Sequence, residues 1–513
     1  MPKTPSTKLF HLVKSLTGAE KRYFKIFINS KDAATNKYVQ LFDAIEAQAE
    51  FDDEALRQAI YGDEPVETRK YSELKSYLYD LILKSLMAYD EKSSVDYRLK
   101  NMLLGVRTLF KRSHFEDCKE LLYKAKKVAL EYEDFKTLIE ILDWEKKIAH
   151  SQTAITYLDK ELENITQEEA YFLTAIKTIT DYQNIFFSIY VSLRKGVSRD
   201  EKQISELKAL MDNPLMAHKE HAKSFKAQVL YYRIYSLYYF SISDLHSFYE
   251  SSKILLSLIG SNPMLLKEDV SEYISALNNH IISCGSLEYL DEVRETLDIL
   301  IEVKPITKDD EVKIHRQYYS NKFRLCITTG EFEEGRKELN RHLKSIEYFG
   351  REQFQRSDYY FQYFCIYFGC GDYTKALDSL NEWLAMAGNS DRLDLQSFAR
   401  ILNLIIHYEL GNTVLIESLI RSAYRYFKKG EMFFEMEKVF IQFFKEEGKL
   451  MSKSEKKTAF IALKSQFEKL SHLPIYKKYS LFDINAWIES KITGEPFAEV
   501  VRKKKSLPAT KVA

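Results

Sequence analysis

The sequence predicts an all-α protein made of repeated helix pairs, and three observations support this prediction. An aromatic-rich helical run, a tight polar break and a second amphipathic run recur about every 40 residues, a period typical of a helical solenoid. Glycine (16) and proline (9), which punctuate strands and turns, are scarce in the 513 residues. Apolar residues recur at helical spacing, without a competing alternating run. The clearest breaks are Gly330-Glu331-Phe332, Gly371-Asp372-Tyr373 and Gly411-Asn412-Thr413.

The first 95 residues differ from the rest and predict a compact N-terminal helical bundle. Thr17-x-x-Glu20 has the capping-box pattern, in which each side chain accepts a hydrogen bond from the other residue's backbone at a helix start. A long apolar stripe beginning at Tyr71 predicts the last helix of the bundle. The expected organisation is a bundle over 1–95, a helical solenoid over 96–495 and a disordered basic tail over 496–513.

Within the solenoid, the breaks locate the second helix of each pair. A capping-box pattern at Thr166-x-x-Glu169 predicts one further helix start in the least regular stretch, between about 130 and 265. The second helices are predicted to begin near Phe115, Ser198, Asp244, Tyr289, Glu331, Asp372 and Asn412.

Charge and cysteine content bound the class of protein. Lysine plus arginine equals aspartate plus glutamate at 75 each, which argues against a body that binds nucleic acid or anionic membrane over its whole surface. The five cysteines form no CxxC pair and show no metal-ligand spacing, which fits a reducing compartment. We find no signal-peptide pattern and no apolar run long enough to span a bilayer, so we expect a soluble, cytoplasmic protein.

The repeat around residues 360 to 383 resembles the tetratricopeptide repeat family. That family has an aromatic residue in the first helix, a Gly-Asp/Asn-Tyr/Phe turn, and an alanine three residues after the turn aromatic. The chain departs from the family pattern in two ways. Its period is nearer 40 residues than the family's roughly 34, and Phe364 stands where the family usually has a small residue. The matching residues are Tyr367, Gly371, Asp372, Tyr373 and Ala376, with a partial match at Gly330, Phe332 and Gly335.

The resemblance implies a right-handed superhelix of antiparallel helix pairs whose first helices line a concave surface. We therefore expect the groove between about residues 270 and 410 to bind a protein or peptide partner through polar positions of these helices. Arg324 is the strongest candidate, because a guanidinium can pair with a carboxylate or stack on an aromatic ring. The predicted partner-binding residues are Asn278, Gln317, Asn321, Arg324, Asp358 and Gln362.

No pattern in the chain indicates catalysis, so we expect neither an enzyme nor a cofactor. Phosphate-binding GxxxxGK[ST] and GxGxxG loops are absent, as are the GxSxG elbow and the HExxH helix. His218-x-x-His221 has a spacing that can chelate a metal, but no third ligand is indicated, and we interpret the pair as surface residues. His280 and His407 stand among aliphatic residues, as histidines buried in a core do.

An alternative function remains open at this level. The first 40 residues carry a basic excess, and a helical bundle ahead of a tetratricopeptide-like superhelix resembles the layout of peptide-sensing transcription regulators. A recognition helix should expose Arg, Asn or Gln, whereas the candidate helix after Gly62 is apolar on most of its faces. The sequence thus favours a protein-interaction scaffold, with DNA binding by the bundle as the alternative.

Overall fold

The structure is a computed structural model, and its regular secondary structure is entirely helical in the residues it describes. The described residues are 6–29, 36–62, 67–90, 94–195, 201–266, 268–354, 357–387, 393–429, 435–447, 452–470 and 481–506. The all-α prediction is confirmed for these ranges. None of the described helices is both long and apolar enough to cross a membrane.

The helices follow one another with short connections. The first group is α1 (Lys8–Ser15), α2 (Gly18–Asn29), α3 (Asn36–Ala47), α4 (Asp53–Tyr61), α5 (Thr68–Asp90), α6 (Val95–Phe110), α7 (Phe115–Glu131), α8 (Phe135–Ser151) and α9 (Ile155–Lys195). The second group is α10 (Glu201–Met211), α11 (Pro214–Ala217), α12 (Phe225–Ile242), α13 (Leu245–Gly260), α14 (Pro263–Leu266), α15 (Val270–Ser286), α16 (Leu290–Glu302), α17 (Lys308–Thr329) and α18 (Phe332–Phe349). The third group is α19 (Ser357–Gly369), α20 (Tyr373–Ala387), α21 (Leu393–Glu409), α22 (Thr413–Lys429), α23 (Glu435–Glu447), α24 (Lys453–Leu470), α25 (Ile484–Thr493) and α26 (Phe497–Ser506).

The chain divides into two compact units. One comprises residues 1–185 and 214–230, and the other comprises residues 186–213 and 231–513. Within the first unit, α1 to α5 enclose a hydrophobic core of their own, and a second core lies among α6 to α9. The predicted boundary near residue 95 falls between these two cores, whereas the two compact units divide within α9 and α12.

One turn geometry recurs between paired helices. In each of eight described turns, one residue adopts positive φ, and the next residue donates its backbone N–H to the carbonyl five residues earlier. This is the Schellman arrangement, which satisfies carbonyls left open at a helix end. The positive-φ residues are Ser113, Glu133, Thr153, Ser243, Glu288, Gly330, Gly371 and Gly411. The sequence singled out the three glycine turns, because glycine is the residue that favours this conformation.

The predicted starts of the second helices agree with the structure. Helices begin at Phe115, Leu245, Leu290, Phe332, Tyr373 and Thr413, each within one residue of its prediction. The seventh predicted start, Ser198, lies outside the described residues. Four consecutive helix pairs lie between Val270 and Lys429. In these pairs we call α15, α17, α19 and α21 the first helices and α16, α18, α20 and α22 the second helices.

Two predicted capping boxes have different outcomes. At Thr17 the prediction is confirmed, because its backbone N–H donates to the Glu20 carboxylate at 2.6 Å and Glu20 N donates to Thr17 Oγ1 at 3.3 Å. At Thr166 it is wrong, because this residue lies inside α9 and its hydroxyl donates to the carbonyl of Leu162. No glycine or proline interrupts α9, so the helix continues through Thr166-x-x-Glu169 although this segment matches the capping-box pattern of a helix start.

The basic segment after residue 495 corrects another prediction. Residues 497–506, expected to be disordered, form helix α26, and residues 507–513 lie outside the described part of the chain. Phe497, Val500 and Val501 occupy one face of this helix and are buried in the core of the second unit. These apolar residues are three and four positions apart, which is the spacing of a helix with a buried face. The lysines that follow them make the segment look like a disordered basic tail in the sequence.

Candidate functional site

The first helices of consecutive repeats contact one another directly. Helix α17 packs against α15 on one side and against α19 on the other, in addition to its own second helix α18. Asn321 Nδ2 donates to Asn278 Oδ1 at 2.9 Å, and these two residues are 43 positions apart. Gln362 Nε2 donates to the carbonyl of Ser320 at 2.9 Å across 42 positions. Side-chain amides therefore link α15, α17 and α19 at intervals of one repeat.

The structure places two of the predicted partner-binding residues inside this packing. Asn321 is 8 % exposed, and its amide also donates to the carbonyl of Gln317 at 2.8 Å, so both amide hydrogens are used within the protein. Gln362 is 3 % exposed. Neither amide group lies open to a partner, and the geometry gives both side chains a role in holding helices together.

The other predicted positions differ from one another. Asn278 and Gln317 are half-buried, and Gln317 Oε1 has no hydrogen-bond partner among the described residues. Asp358 lies in the first turn of α19, and its side chain is outside the described part of the structure. Arg324 is exposed, and it is the only exposed residue of the fully described helix α17 after Asp309. The predicted set is therefore one exposed guanidinium beside a row of mostly covered amides.

A chain of buried polar groups crosses the core next to this row. His315 Nε2 lies 3.0 Å from His342 Nδ1, and His342 Nε2 lies 2.7 Å from the hydroxyl of Tyr363. Aromatic rings surround both imidazoles, which stack on each other. Burial lowers the pKa of His315 to about 4, and burial together with the neighbouring His315 lowers the pKa of His342 to about 3.

A second group of polar side chains joins α13, α15 and α16. His280 Nε2 lies 3.2 Å from Glu292 Oε1 and 3.5 Å from Cys284 Sγ. The imidazole and thiol are buried, whereas Glu292 is partly exposed at the start of α16. Among the described residues, these three form the one group of His, Cys, Asp or Glu whose ligand atoms lie close enough to share a metal ion. Burial raises the pKa of the Cys284 thiol to about 12.

The sequence contained a signal for this cluster that motif searches miss. His280 and Cys284 are four residues apart, so they share a helix face, and Glu292 follows directly after the turn. By contrast, His218 and His221, which carry the chelating spacing, are both exposed on a short 3-10 turn. Spacing alone selects the wrong pair, because it does not reveal which side chains converge in the fold.

The N-terminal bundle pairs several of the basic residues that the sequence counts as an excess. Lys21 Nζ lies 3.2 Å from Glu46 Oε1, and Lys25 Nζ lies 2.8 Å from Asp43 Oδ1. Lys14 Nζ donates to a backbone carbonyl of α3 at 2.7 Å. The acidic residues of α3 thus neutralise part of the basic face of α2, which weakens the charge argument for DNA binding.

Known proteins add no independent indication of function. No family model matches the chain, and no similar protein was found among curated proteins or among solved structures.

Proposed function

We propose that this chain is a non-enzymatic scaffold that holds an extended or helical segment of a partner protein against its first helices between residues 270 and 410. In this proposal the helix pairs follow one another in a right-handed, tetratricopeptide-like superhelix, and the protein works in the cytoplasm. The first helices α15, α17 and α19 would form the floor of the binding surface.

The single observation that carries the proposal is the position of Arg324. Every other residue of α17 after Asp309 is buried or half-buried between neighbouring helices. An exposed guanidinium on an otherwise covered first helix is suited to pair with a carboxylate of a bound segment, because its five donors form a fixed fork. Amide links between the first helices keep their spacing constant, which lets a long segment make many weak contacts in register.

The test compares Arg324→Ala with a matched arginine variant on a second helix. Arg336 of α18 pairs with Glu333 at 2.6 Å and its side chain is 42 % exposed, so Arg336→Ala removes the same type of side chain from a different surface. Full-length protein and both variants are used to capture partners from the host lysate, and the captured proteins are quantified. We then measure the affinity of the bound segment by titration with a synthetic peptide.

We expect Arg324→Ala to weaken peptide binding about tenfold or more, which corresponds to about 1.4 kcal/mol, and Arg336→Ala to leave it unchanged. Equal binding by all three proteins would reject the first-helix surface. The transcription-regulator alternative predicts instead that the protein retains a genomic DNA fragment at physiological salt and that this binding depends on the N-terminal bundle. Sequence-selective, salt-resistant binding of that kind would replace the scaffold proposal.

A further inference from the structure

We propose that His280, Cys284 and Glu292 form a binding site for one zinc ion or a chemically similar divalent transition metal. This site is distinct from the first-helix surface and does not depend on the scaffold proposal. It lies between the first helix α15, which supplies the imidazole and the thiol, and the second helix α16, which supplies the carboxylate.

The distances between the ligand atoms fit a tetrahedral metal. Typical zinc bonds of about 2.0 Å to nitrogen and oxygen and about 2.3 Å to sulfur place nitrogen about 3.3 Å from oxygen and about 3.5 Å from sulfur at tetrahedral angles. The corresponding separations are 3.2 Å from His280 Nε2 to Glu292 Oε1 and 3.5 Å from the same nitrogen to Cys284 Sγ. All three ligand atoms lie within 4.8 Å of one another.

A buried serine aims the imidazole toward the proposed metal position. Ser252 Oγ donates to the carbonyl of Tyr249 at 2.8 Å and lies 3.1 Å from His280 Nδ1. A hydroxyl has one hydrogen, so with that hydrogen on the carbonyl Ser252 accepts from Nδ1–H. The other nitrogen, Nε2, then carries a lone pair. This outer hydrogen bond is the usual way in which a protein orients a metal-binding histidine.

The resulting lone pair faces an acceptor. In this tautomer Nε2 and Glu292 Oε1 repel each other at 3.2 Å unless a cation or a proton lies between them, whereas in the other tautomer Nε2–H donates to the carboxylate. Tyr249 holds the second carboxylate oxygen, Glu292 Oε2, with a hydrogen bond of 2.9 Å, so the carboxylate cannot rotate away without losing that bond. A divalent ion relieves the repulsion. Binding displaces the thiol proton to solvent and forms one metal–sulfur bond.

The donor set selects the class of metal. Thiolate and imidazole favour zinc and other borderline-soft ions over magnesium and calcium, which prefer oxygen ligands. The thiolate and carboxylate together balance the charge of a divalent cation. Lys253 Nζ, 3.7 Å from Glu292 Oε1, is the nearest competing cation; it donates to the Tyr249 hydroxyl at 2.8 Å, and its side chain is 56 % exposed. Water is expected to complete the coordination.

The next repeat supplies a matched control for the cysteine. Cys284 and Cys326 occupy the same position in consecutive Schellman turns, since each carbonyl accepts the N–H of the residue five places later. Both thiols are fully buried. One helical turn before Cys326 stands Lys322, where the proposed site has His280. Cys326→Ala therefore removes an equivalent buried thiol that lacks the other ligands.

The experiment titrates the full-length protein, stripped of metal with a chelator, with cobalt as a spectroscopic probe and then with zinc. All proteins carry His218→Gln and His221→Gln, so that the exposed histidine pair does not contribute. We expect one equivalent of cobalt to give the thiolate charge-transfer band and the visible bands of tetrahedral cobalt, and zinc to displace it. Cys326→Ala should behave like the parent protein, whereas Cys284→Ala should lose the charge-transfer band.

Two further variants test the roles of the other groups. Glu292→Gln keeps the size and a hydrogen-bond acceptor for Tyr249 but loses the charge, so it should bind zinc at least about tenfold more weakly. Ser252→Ala should weaken zinc binding about 10- to 100-fold by freeing the imidazole. Circular dichroism checks folding, and Glu292→Gln alone decides the question if Cys284→Ala does not fold. Absence of saturable one-to-one binding, or a cobalt spectrum unchanged in Cys284→Ala or an affinity unchanged in Glu292→Gln, would overturn the proposal.

Discussion

Arg502 Nε donates a hydrogen bond of 3.0 Å to the carbonyl oxygen of Gly330, which lies 172 positions earlier in the chain. The contact fixes the C-terminal helix α26 on the turn between α17 and α18. On the same helix, Lys505 Nζ lies 2.6 Å from Glu288, in the preceding repeat turn. The buried Phe497 of α26 contacts Phe332, beside the Gly330 turn, and Phe368, beside the Gly371 turn. Helix α26 thus lies across three consecutive repeat turns.

Replacing Gly330 with alanine should therefore destabilise the second unit more than the same change at Gly371. Both glycines have positive φ, for which alanine costs about 1–2 kcal/mol. At Gly330 an added Cβ would also lie 2.9 Å from Arg502 Cγ and 3.1 Å from two backbone atoms of α26, whereas at Gly371 it would meet no atom within 4 Å. Thermal unfolding and hydrogen exchange over residues 497–506 measure the difference. Equal exchange of α26 in the two variants would show that it does not depend on this contact.

Replacing Thr153 with glycine should stabilise the first unit. This β-branched residue has a φ of 54° in a repeat turn. Positive φ strains a residue that has a Cβ, whereas glycine adopts it without strain. We expect a gain of about 0.5–1 kcal/mol. Thr180→Gly is the matched control, since the same substitution inside α9 should lose about 0.3 kcal/mol, the difference between the helix propensities of glycine and threonine. Urea unfolding followed by circular dichroism checks both signs, and a loss of stability in Thr153→Gly would contradict the argument.

Acid should destabilise the second unit through the buried histidine pair. In the folded protein the pKa values of His315 and His342 are about 4 and about 3, whereas an unfolded histidine titrates near 6.5. Below about pH 6.5 the unfolded chain binds protons that the folded chain does not, so the free energy of unfolding falls as the pH falls. Together, the two histidines should lower the free energy of unfolding by up to about 2.7 kcal/mol for each unit that the pH falls around pH 5.

Urea unfolding at about pH 7 and at about pH 5 measures this pH dependence of stability. At about pH 5 the unfolded chain has bound the extra protons, whereas at about pH 7 it has not. His342→Gln retains a polar side chain for Tyr363 and removes one titrating group, so its pH dependence should be smaller by about 1.4 kcal/mol per pH unit. His218→Gln, at an exposed position, is the control. A pH dependence identical in His342→Gln and the parent protein would reject the role of the pair.

Asn321 and Arg324 should respond differently to alanine, although they lie on the same helix. Asn321→Ala leaves Asn278 Oδ1 without its donor and removes the second donor to the Gln317 carbonyl, which should cost about 1–3 kcal/mol. Arg324→Ala removes an exposed side chain and should cost less stability than Asn321→Ala, at most about 1 kcal/mol, because exposed ion pairs and hydrogen bonds contribute no more than that. Thermal unfolding of the two single variants separates the structural amide from the candidate binding residue. Similar losses in both would show that Arg324 also supports the fold.

The candidate site was only partly accessible from the sequence. Counting back from the turns locates Asn278, Asn321 and Arg324 on first helices, because helical periodicity fixes their place along the chain. It does not show that neighbouring first helices cover Asn321 and leave Arg324 exposed. That distinction depends on how closely α15, α17 and α19 pack, and two helix positions three residues apart can differ completely in this respect.

The sequence by itself determined the helical class, the interval between repeats and the start of most second helices. These features depend on local interactions, namely apolar spacing along a helix and the preference of glycine for positive φ, which act within a few residues. Tertiary structure alone decided that the basic C-terminal segment is a docked helix and that His280, Cys284 and Glu292 converge beside Ser252. Both depend on burial, which is set by chain segments distant in sequence and overrides what local composition indicates.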